Sequence, residues 1–378
     1  AFRRTPEPTP LPPTELALVS FGTDGSWGVA EEALMEQFQE MQPNVEFRRS
    51  SYQQSPSAYL STATPPDAMV ISPGYLLDQA VDNGQVQDMT DLWEQSGLLE
   101  EYPVSLQSLS SRDGKQYYMP VAYTWVAVYY NEEIFAQYGL ESPATWDEFI
   151  IVCEELLANG VTPLSIAGND IFFNTLWFDY LDLRLNGIDF HRELVNGEVS
   201  YQDERVRTVF EVWGSMLDRG YFVDDPDRMG TADSLMAIVD TPENLTFGEK
   251  AAMTLTGPAS FGAAAPVLRS GLDFFAFPII DPGVPEAELV SAYGYVIPNA
   301  AKNREAALGF VAYAGSAEAQ TQMGPRLNTR DAGLAPANPD TEWDNIPDSV
   351  RRGSSIINDA EAVTPTFALA MPDALWNS

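Results

Sequence analysis

Apolar residues follow two rhythms along this chain, short continuous blocks and helical spacing, and the two alternate from the start of the body onward. Leu16-Ala17-Leu18-Val19-Ser20-Phe21 has the length and make-up of a buried strand. Gly22-Thr23-Asp24-Gly25 then reads as a turn. Ala30, Leu34, Phe38 and Met41 recur at helical spacing until Pro43-Asn44 stops the helix. Val45 to Arg48 is a short alternating strand, and Ala68-Met69-Val70-Ile71 is a further buried one, ended by Ser72-Pro73-Gly74. Strand–helix–strand–helix order of this kind implies right-handed crossovers and a parallel, doubly wound sheet.

Tyr117 to Tyr130 is extended and too long for one average strand, which fits a segment crossing from one lobe to another. Asn131-Glu132-Glu133 opens a short helix. Thr145 and Glu148 form a capping box for a helix with Phe149, Cys153 and Leu156 on one face, closed by Asn159-Gly160. Cys153 on that face reads as an inert core thiol. The spacing predicts helices over 176–185, 206–217, 306–313 and 318–323. Strands are predicted over 251–256, 274–280 with a break at Pro278, and 293–297. Gly257-Pro258 turns into a helix. Prolines at 6, 8, 10, 12 and 13 make the first residues a semi-rigid spacer ahead of the body.

A length of 378 residues fits two domains. Charge narrows the function: 55 acidic against 20 basic residues give −35, which argues against nucleic-acid binding and against polyanionic ligands. One cysteine and one histidine leave no intrachain disulfide, no cysteine-built metal site and no multi-histidine zinc site. No cofactor or metal is expected, since the DxDxDG calcium pattern is also missing. Gly22, Gly25 and Gly28 lie between strand and helix without the spacing or the cation of a phosphate loop. His191, in a polar stretch, reads as a surface or capping residue. What the chain holds in quantity is aromatic rings, 8 Trp, 16 Tyr and 19 Phe. Rings near Asp24, Asn169 and Asn174 suit a sugar, which offers CH faces for stacking and hydroxyls for amide and carboxylate bonds.

Six blocks together resemble the family 1 extracellular solute-binding proteins of ABC-type sugar importers, the maltose-binding-protein-like group. They are ELALVSFGTDGSWG…EEALMEQFQEMQPNVEF, PPDAMVISPGYLLDQAVDNGQVQDMTDLWEQSGLL, DGKQYYMPVAYTWVAVYYNEEIFAQYGLESPATWDEF, GVTPLSIAGND, GEKAAMTLTGPASFG and AYGYVIPNAAKNREAALGFVAYAGSAEAQ, and the resemblance runs from about residue 15 to 371. The resemblance implies an α/β, two-lobed periplasmic-binding-protein-like (type II) clamshell with a hinge. The implied division is a Pro-rich linker at 1–13, an N-terminal lobe at 14–122 and 278–313, and a C-terminal lobe at 123–277 and 314–378. The hinge would pass Val121-Ala122-Tyr123-Thr124, Phe277-Pro278-Ile279 and the region of Ala314.

Carried over residue by residue, the ligand-binding positions implied are Thr23, Asp24 and Trp27 after the first strand, and Ser72 and Tyr75 after the third. Tyr123, Thr124 and Trp125 follow on the hinge strand, then Asn169, Phe172 and Trp177. The set closes with Gly257, Pro258 and Phe261, Tyr293 and Gly294, and Arg326. Where many members carry a stacking Trp directly after the Gly-Pro, this chain has Ala259, so a ring there must come from Phe261. The implied function is capture of a neutral sugar or oligosaccharide for delivery to membrane permease subunits, by a monomeric, extracytoplasmic and lipid-anchored or periplasmic protein without catalytic activity. A polyol or sugar phosphate ligand, and a glycoside-active enzyme using paired carboxylates, are the alternatives.

Overall fold

The computed structural model describes residues 13–22, 25–239, 250–261, 271–328 and 333–367. Two sheets organise them. The strands are β1 (Thr14–Ser20), β2 (Val45–Ser51), β3 (Ala68–Ile71), β4 (Ser111–Arg112), β5 (Lys115–Gln116), β6 (Met119–Trp125) and β7 (Ala127–Asn131). Then come β8 (Thr162–Ser165), β9 (Ala251–Thr256), β10 (Leu272–Phe275), β11 (Ala287–Val296), β12 (Ala335–Pro336) and β13 (Ala362–Pro365). Among the described residues the larger sheet has seven strands in the order β12-β6-β11-β3-β1-β2, with β13 beside the first half of β11; the smaller has four, β10-β7-β9-β8.

The parallel sheet expected from the strand–helix rhythm holds for β2, β1 and β3, which run parallel. It does not hold for β11, which lies antiparallel between β3 and β6. A strand that arrives from the other half of the molecule needs no right-handed crossover, so the rhythm carried no information about its direction.

Helices α1 (Ser26–Met41), α2 (Pro56–Leu60), α3 (Tyr75–Asp82), α4 (Thr90–Gln95), α5 (Leu98–Glu101) and α6 (Val104–Ser110) surround the first part of the larger sheet. Helices α7 (Glu132–Tyr138), α8 (Trp146–Ala158), α9 (Ile171–Val195), α10 (Glu204–Asp218) and α11 (Thr231–Ala237) belong to the chain between β7 and β9. The chain after β11 adds α12 (Arg304–Gly315), α13 (Ala317–Leu327) and α14 (Asp348–Asn358). The capping box that opens α8 is formed: Glu148 Oε2 accepts from the Thr145 backbone N–H at 3.0 Å, and Thr145 Oγ1 accepts from the Glu148 N–H. Cys153 is fully buried on that helix, and burial pushes its thiol pKa up, as a core thiol requires.

Residues 314–378, expected in the second lobe, contribute β12 and β13 to the larger sheet, and α13 packs on α1. The region 368–378 lies outside the described residues, as does the Pro-rich start up to residue 12. The long segment Tyr117–Tyr130 is two strands, β6 and β7, one in each sheet, joined at Val126. Predicted strand 274–280 ends early at Phe275, because Pro278 lacks the N–H a ladder needs. The chain returns to the larger sheet at β11.

His191 is not at the surface. The α9 backbone breaks at Gly187, where φ is 80°, and the turn folds the ring inward against Asp182, Nδ1 to Oδ2 at 2.8 Å. Both side chains are almost fully buried. The polar sequence around His191 reflects its neighbours on the exposed side of that last helical stretch, not His191 itself.

Candidate functional site

In a strand, alternate residues face opposite sides. On β6 and β11 that rule splits the residues nominated from sequence into two groups. Thr124 pairs with Ser291, and Ala122 with Tyr293, so these four share one face; Tyr123 and Trp125 share the other with Ala292 and Val290.

On the first face the nominated rings meet. Trp27, in the first turn of α1, stacks on Tyr293 with centroids 5.5 Å apart and planes 25° apart. Phe21 meets Tyr293 edge-on at 5.6 Å and Tyr52 at 5.8 Å. The Trp27 indole N–H donates to Ser20 Oγ at 3.0 Å, which fixes the ring beside the end of β1. Burial raises the Tyr293 phenol pKa, so it stays a neutral hydroxyl. Thr124 Oγ1 is buried without a partner among the described residues. Sheet geometry requires Gly294: a Cβ there would collide with the Met119 carbonyl oxygen, at the bulge in the β6–β11 pairing.

On the second face, Tyr123 is a core residue. Its hydroxyl donates to Asn358 Oδ1 of α14 at 3.1 Å, and its ring is fully buried. Trp125 sits at the junction of the two sheets, its indole against Gly353 of α14, where a Cβ would run into the ring. Here a cavity of about 140 Å³ opens between the halves. Trp125, Tyr129, Pro258, Phe261 and Phe274 line it, with Asn328, Ser349 and Arg352 supplying polar groups. Three nominated residues from two distant sequence blocks thus converge. Gly257 makes the approach possible, since a Cβ would already lie 3.0 Å from the Trp125 carbonyl. Phe261 meets Tyr129 at 4.9 Å, and Phe274 meets Tyr129 at 5.2 Å and Trp125 at 5.9 Å. Arg352 lies over Phe274 at 4.9 Å and pairs with Asp273 at 2.7 Å. Two of the lining residues keep a buried polar atom without a partner among the described residues: the donor Trp125 Nε1 and the acceptor Asn328 Oδ1.

The other nominated positions scatter. Trp177 is core, packed against Phe149, Phe222 and Phe277 beneath α9. Helical spacing alone could have said so, because Trp177 falls one turn after Phe173 and one before Leu181. Arg326 donates to the Gln322 carbonyl of its own helix at 2.6 Å. Asn169 is exposed after β8, its N–H bonded to the Met229 carbonyl at 3.2 Å, and the Phe172 N–H is held by the N-cap Asp170 at 3.1 Å. Ser72 and Tyr75 flank the start of α3, with Tyr75 exposed. Thr23 and Asp24 lie outside the described residues.

Sequence reasoning missed Phe21, Tyr129, Phe274, Asn328 and Arg352. Phe21 was read only as the end of a strand, and Phe274 only as part of one. Asn328 and Arg352 stand in no motif, so only the folded chain brings them to Trp125.

Residues 24–321 match the sequence pattern of the bacterial extracellular solute-binding proteins. An uncharacterized ABC transporter extracellular-binding protein of Pyrococcus horikoshii is 25% identical over 324 residues, 82% of this chain and 70% of that protein. A multiple sugar-binding protein of Streptococcus mutans is 27% identical over 135 residues, 31% of each chain. Among solved structures, the bacterial solute receptor AcbH, described as preferring β-D-galactopyranose, superposes with a TM-score of 0.86 at 24% identity, over 96% of this chain and 89% of that one. The fold is therefore that of the two-lobed solute receptors.

Proposed function

The chain belongs to the bacterial extracellular solute-binding proteins, and from that premise we propose that it captures a neutral sugar between its two halves and presents it to the permease of an ABC importer. The two halves are the larger sheet with its helices and the smaller sheet with α7 to α11, joined through Val126 and through the return from Phe275 to β11. The observation that carries the sugar is the junction cavity. It offers tilted aromatic rings and, among the described residues, one unpartnered N–H at Trp125 and one unpartnered carbonyl oxygen at Asn328. A hydroxyl both donates and accepts, so a ring carrying several of them satisfies both atoms while its CH face lies on Phe261 or Phe274.

The stack of Trp27 on Tyr293, with the Thr124 hydroxyl that has no partner among the described residues, forms a second proposed contact surface on the opposite face of the sheet. Asn169, Phe172, Ser72 and Tyr75, and Thr23 and Asp24 outside the described residues, stay proposed ligand contacts. Relatives with sugar-binding names support this reading. No catalytic step belongs to it: the solute is held and released unchanged, by a monomer outside the cytoplasm.

Titration calorimetry against neutral monosaccharides, oligosaccharides and polyols tests the reading. Saturable binding of at least one sugar, weakened at least tenfold by Phe261→Ala, is expected. The absence of any heat with the whole panel at millimolar concentration overturns it.

A further inference from the structure

Among the described residues the chain passes between the halves at Val126, between Phe275 and β11, and again after β13, where Phe367 reaches α9; one buried polar cluster on α9 holds the first two of these crossings. Tyr180 and Arg184 lie four residues apart, on one face of the helix. The Tyr180 hydroxyl shares its hydrogen between the carbonyl of Val126, 2.9 Å away, and Glu288 Oε2, 2.8 Å away. Val126 is the residue between β6 and β7, the first crossing. Glu288 stands near the start of β11, at the end of the second. Arg184 donates to the Ala287 carbonyl at 2.5 Å and the Phe277 carbonyl at 3.1 Å, and it pairs with Glu288. Phe277 and Ala287 are the two ends of the return segment. The Phe277 ring lies flat on Tyr180, 4.6 Å between centroids and 4° between planes, and the Arg184 guanidinium sits 5.3 Å from the Tyr180 ring. All three polar side chains are buried.

Core packing alone does not need this. An arginine and a glutamate buried together gain little over apolar residues of the same shape. Their partners are not scattered either: every backbone carbonyl to which the cluster donates belongs to one of those two crossings. We propose that Tyr180, Arg184 and Glu288 form the pivot clasp of the hinge, positioning residues that register both crossing segments to α9 and so set the balance between the relative orientations of the two halves. The clasp rests on the family reading that the halves move, but not on the identity of the solute.

Tyr180→Phe removes the bond to the first crossing and keeps the ring. Tyr295→Phe is the matched control: its hydroxyl donates to the buried Glu31 carboxylate at 2.9 Å, wholly within the larger-sheet half. With Cys153→Ala as background, spin labels at Ala63→Cys and Glu211→Cys report the distance between the halves without any ligand. In the clasp's presence one orientation dominates. Tyr180→Phe is expected to change the ratio of orientations about tenfold, the size of one buried hydrogen bond to a charged group, while Tyr295→Phe leaves it unaltered. Identical distance distributions in Tyr180→Phe and the parent, or equal changes in both variants, overturn the clasp. Loss of sugar binding in the parent would overturn the proposed function and leave this measurement standing.

Discussion

Replacing Asp179 by asparagine gives the sharpest quantitative test of how this molecule is built. Asp179 is fully buried on α9, and its Oδ2 accepts the Phe367 backbone N–H at 2.9 Å. Oδ1 has no partner among the described residues. Burial is the main cause that raises its pKa from 3.8 to about 7, against the attraction of His191 and the Phe367 N–H, with Asp182 adding repulsion. The folded protein therefore holds a proton that the unfolded chain gives up near pH 4. Stability contributed by that proton is complete below pH 4, declines as pH rises, and is gone above pH 7. Proton affinity about a thousandfold higher in the folded protein, at about 1.4 kcal/mol per tenfold, makes the loss about 4 kcal/mol. The amide introduced by Asp179→Asn cannot ionise, and its oxygen can still accept from Phe367. Urea unfolding at pH 4, 5.5, 7 and 8 should show the variant gaining on the parent by about 4 kcal/mol from the lowest to the highest pH, other carboxylates cancelling in the difference. Parallel pH profiles for the two proteins would show that the Asp179 carboxylate is solvated or compensated, and would refute the reasoning.

Other consequences are equally direct. Glu288→Gln removes the buried partner of Arg184 and leaves only the half-exposed Glu286 at 4.0 Å, so a stability loss of about 3 kcal/mol is expected from denaturant titration. Gly353→Ala drives a methyl into the Trp125 indole; a loss of about 1–3 kcal/mol and a weakened sugar response in calorimetry should appear together. Thr145→Ala removes one arm of the α8 capping box and should cost about 1 kcal/mol in thermal unfolding, with binding unchanged.

Local chemistry was legible wherever it decided the structure by itself. The predicted strands at Ala68–Ile71 and Ala251–Thr256 and the Thr145 cap appear as read, because a continuous apolar block or a capping pair needs no distant partner. Family blocks located the Gly257-Pro258 turn and the β6 strand but could not say which side of β6 each residue faces. That cost Tyr123, which points into α14, whereas Thr124 points away from it. Trp177 was assigned to the ligand for its chemistry, although its helical spacing put it in the core. His191 shows the reverse failure: a polar neighbourhood concealed a buried Asp–His pair created by the backbone break at Gly187. Long-range placement lay outside reach, since the last strands join the larger sheet far from their own place in the chain, Ala335 beside Tyr123 and Ala362 beside Ala287.

The position of β11 also dictates an order of events on the ribosome. It is the strand that separates β3 from β6, and it is synthesised only after the whole smaller sheet has emerged. Until residue 296 is out, β3 and β6 have nothing between them, and both present unpaired edges to whatever is nearby. The smaller half, one uninterrupted stretch of chain, can collapse in the meantime. Nascent molecules therefore pass through a stage with one half formed and the other split, the stage at which a chaperone has the most to shield.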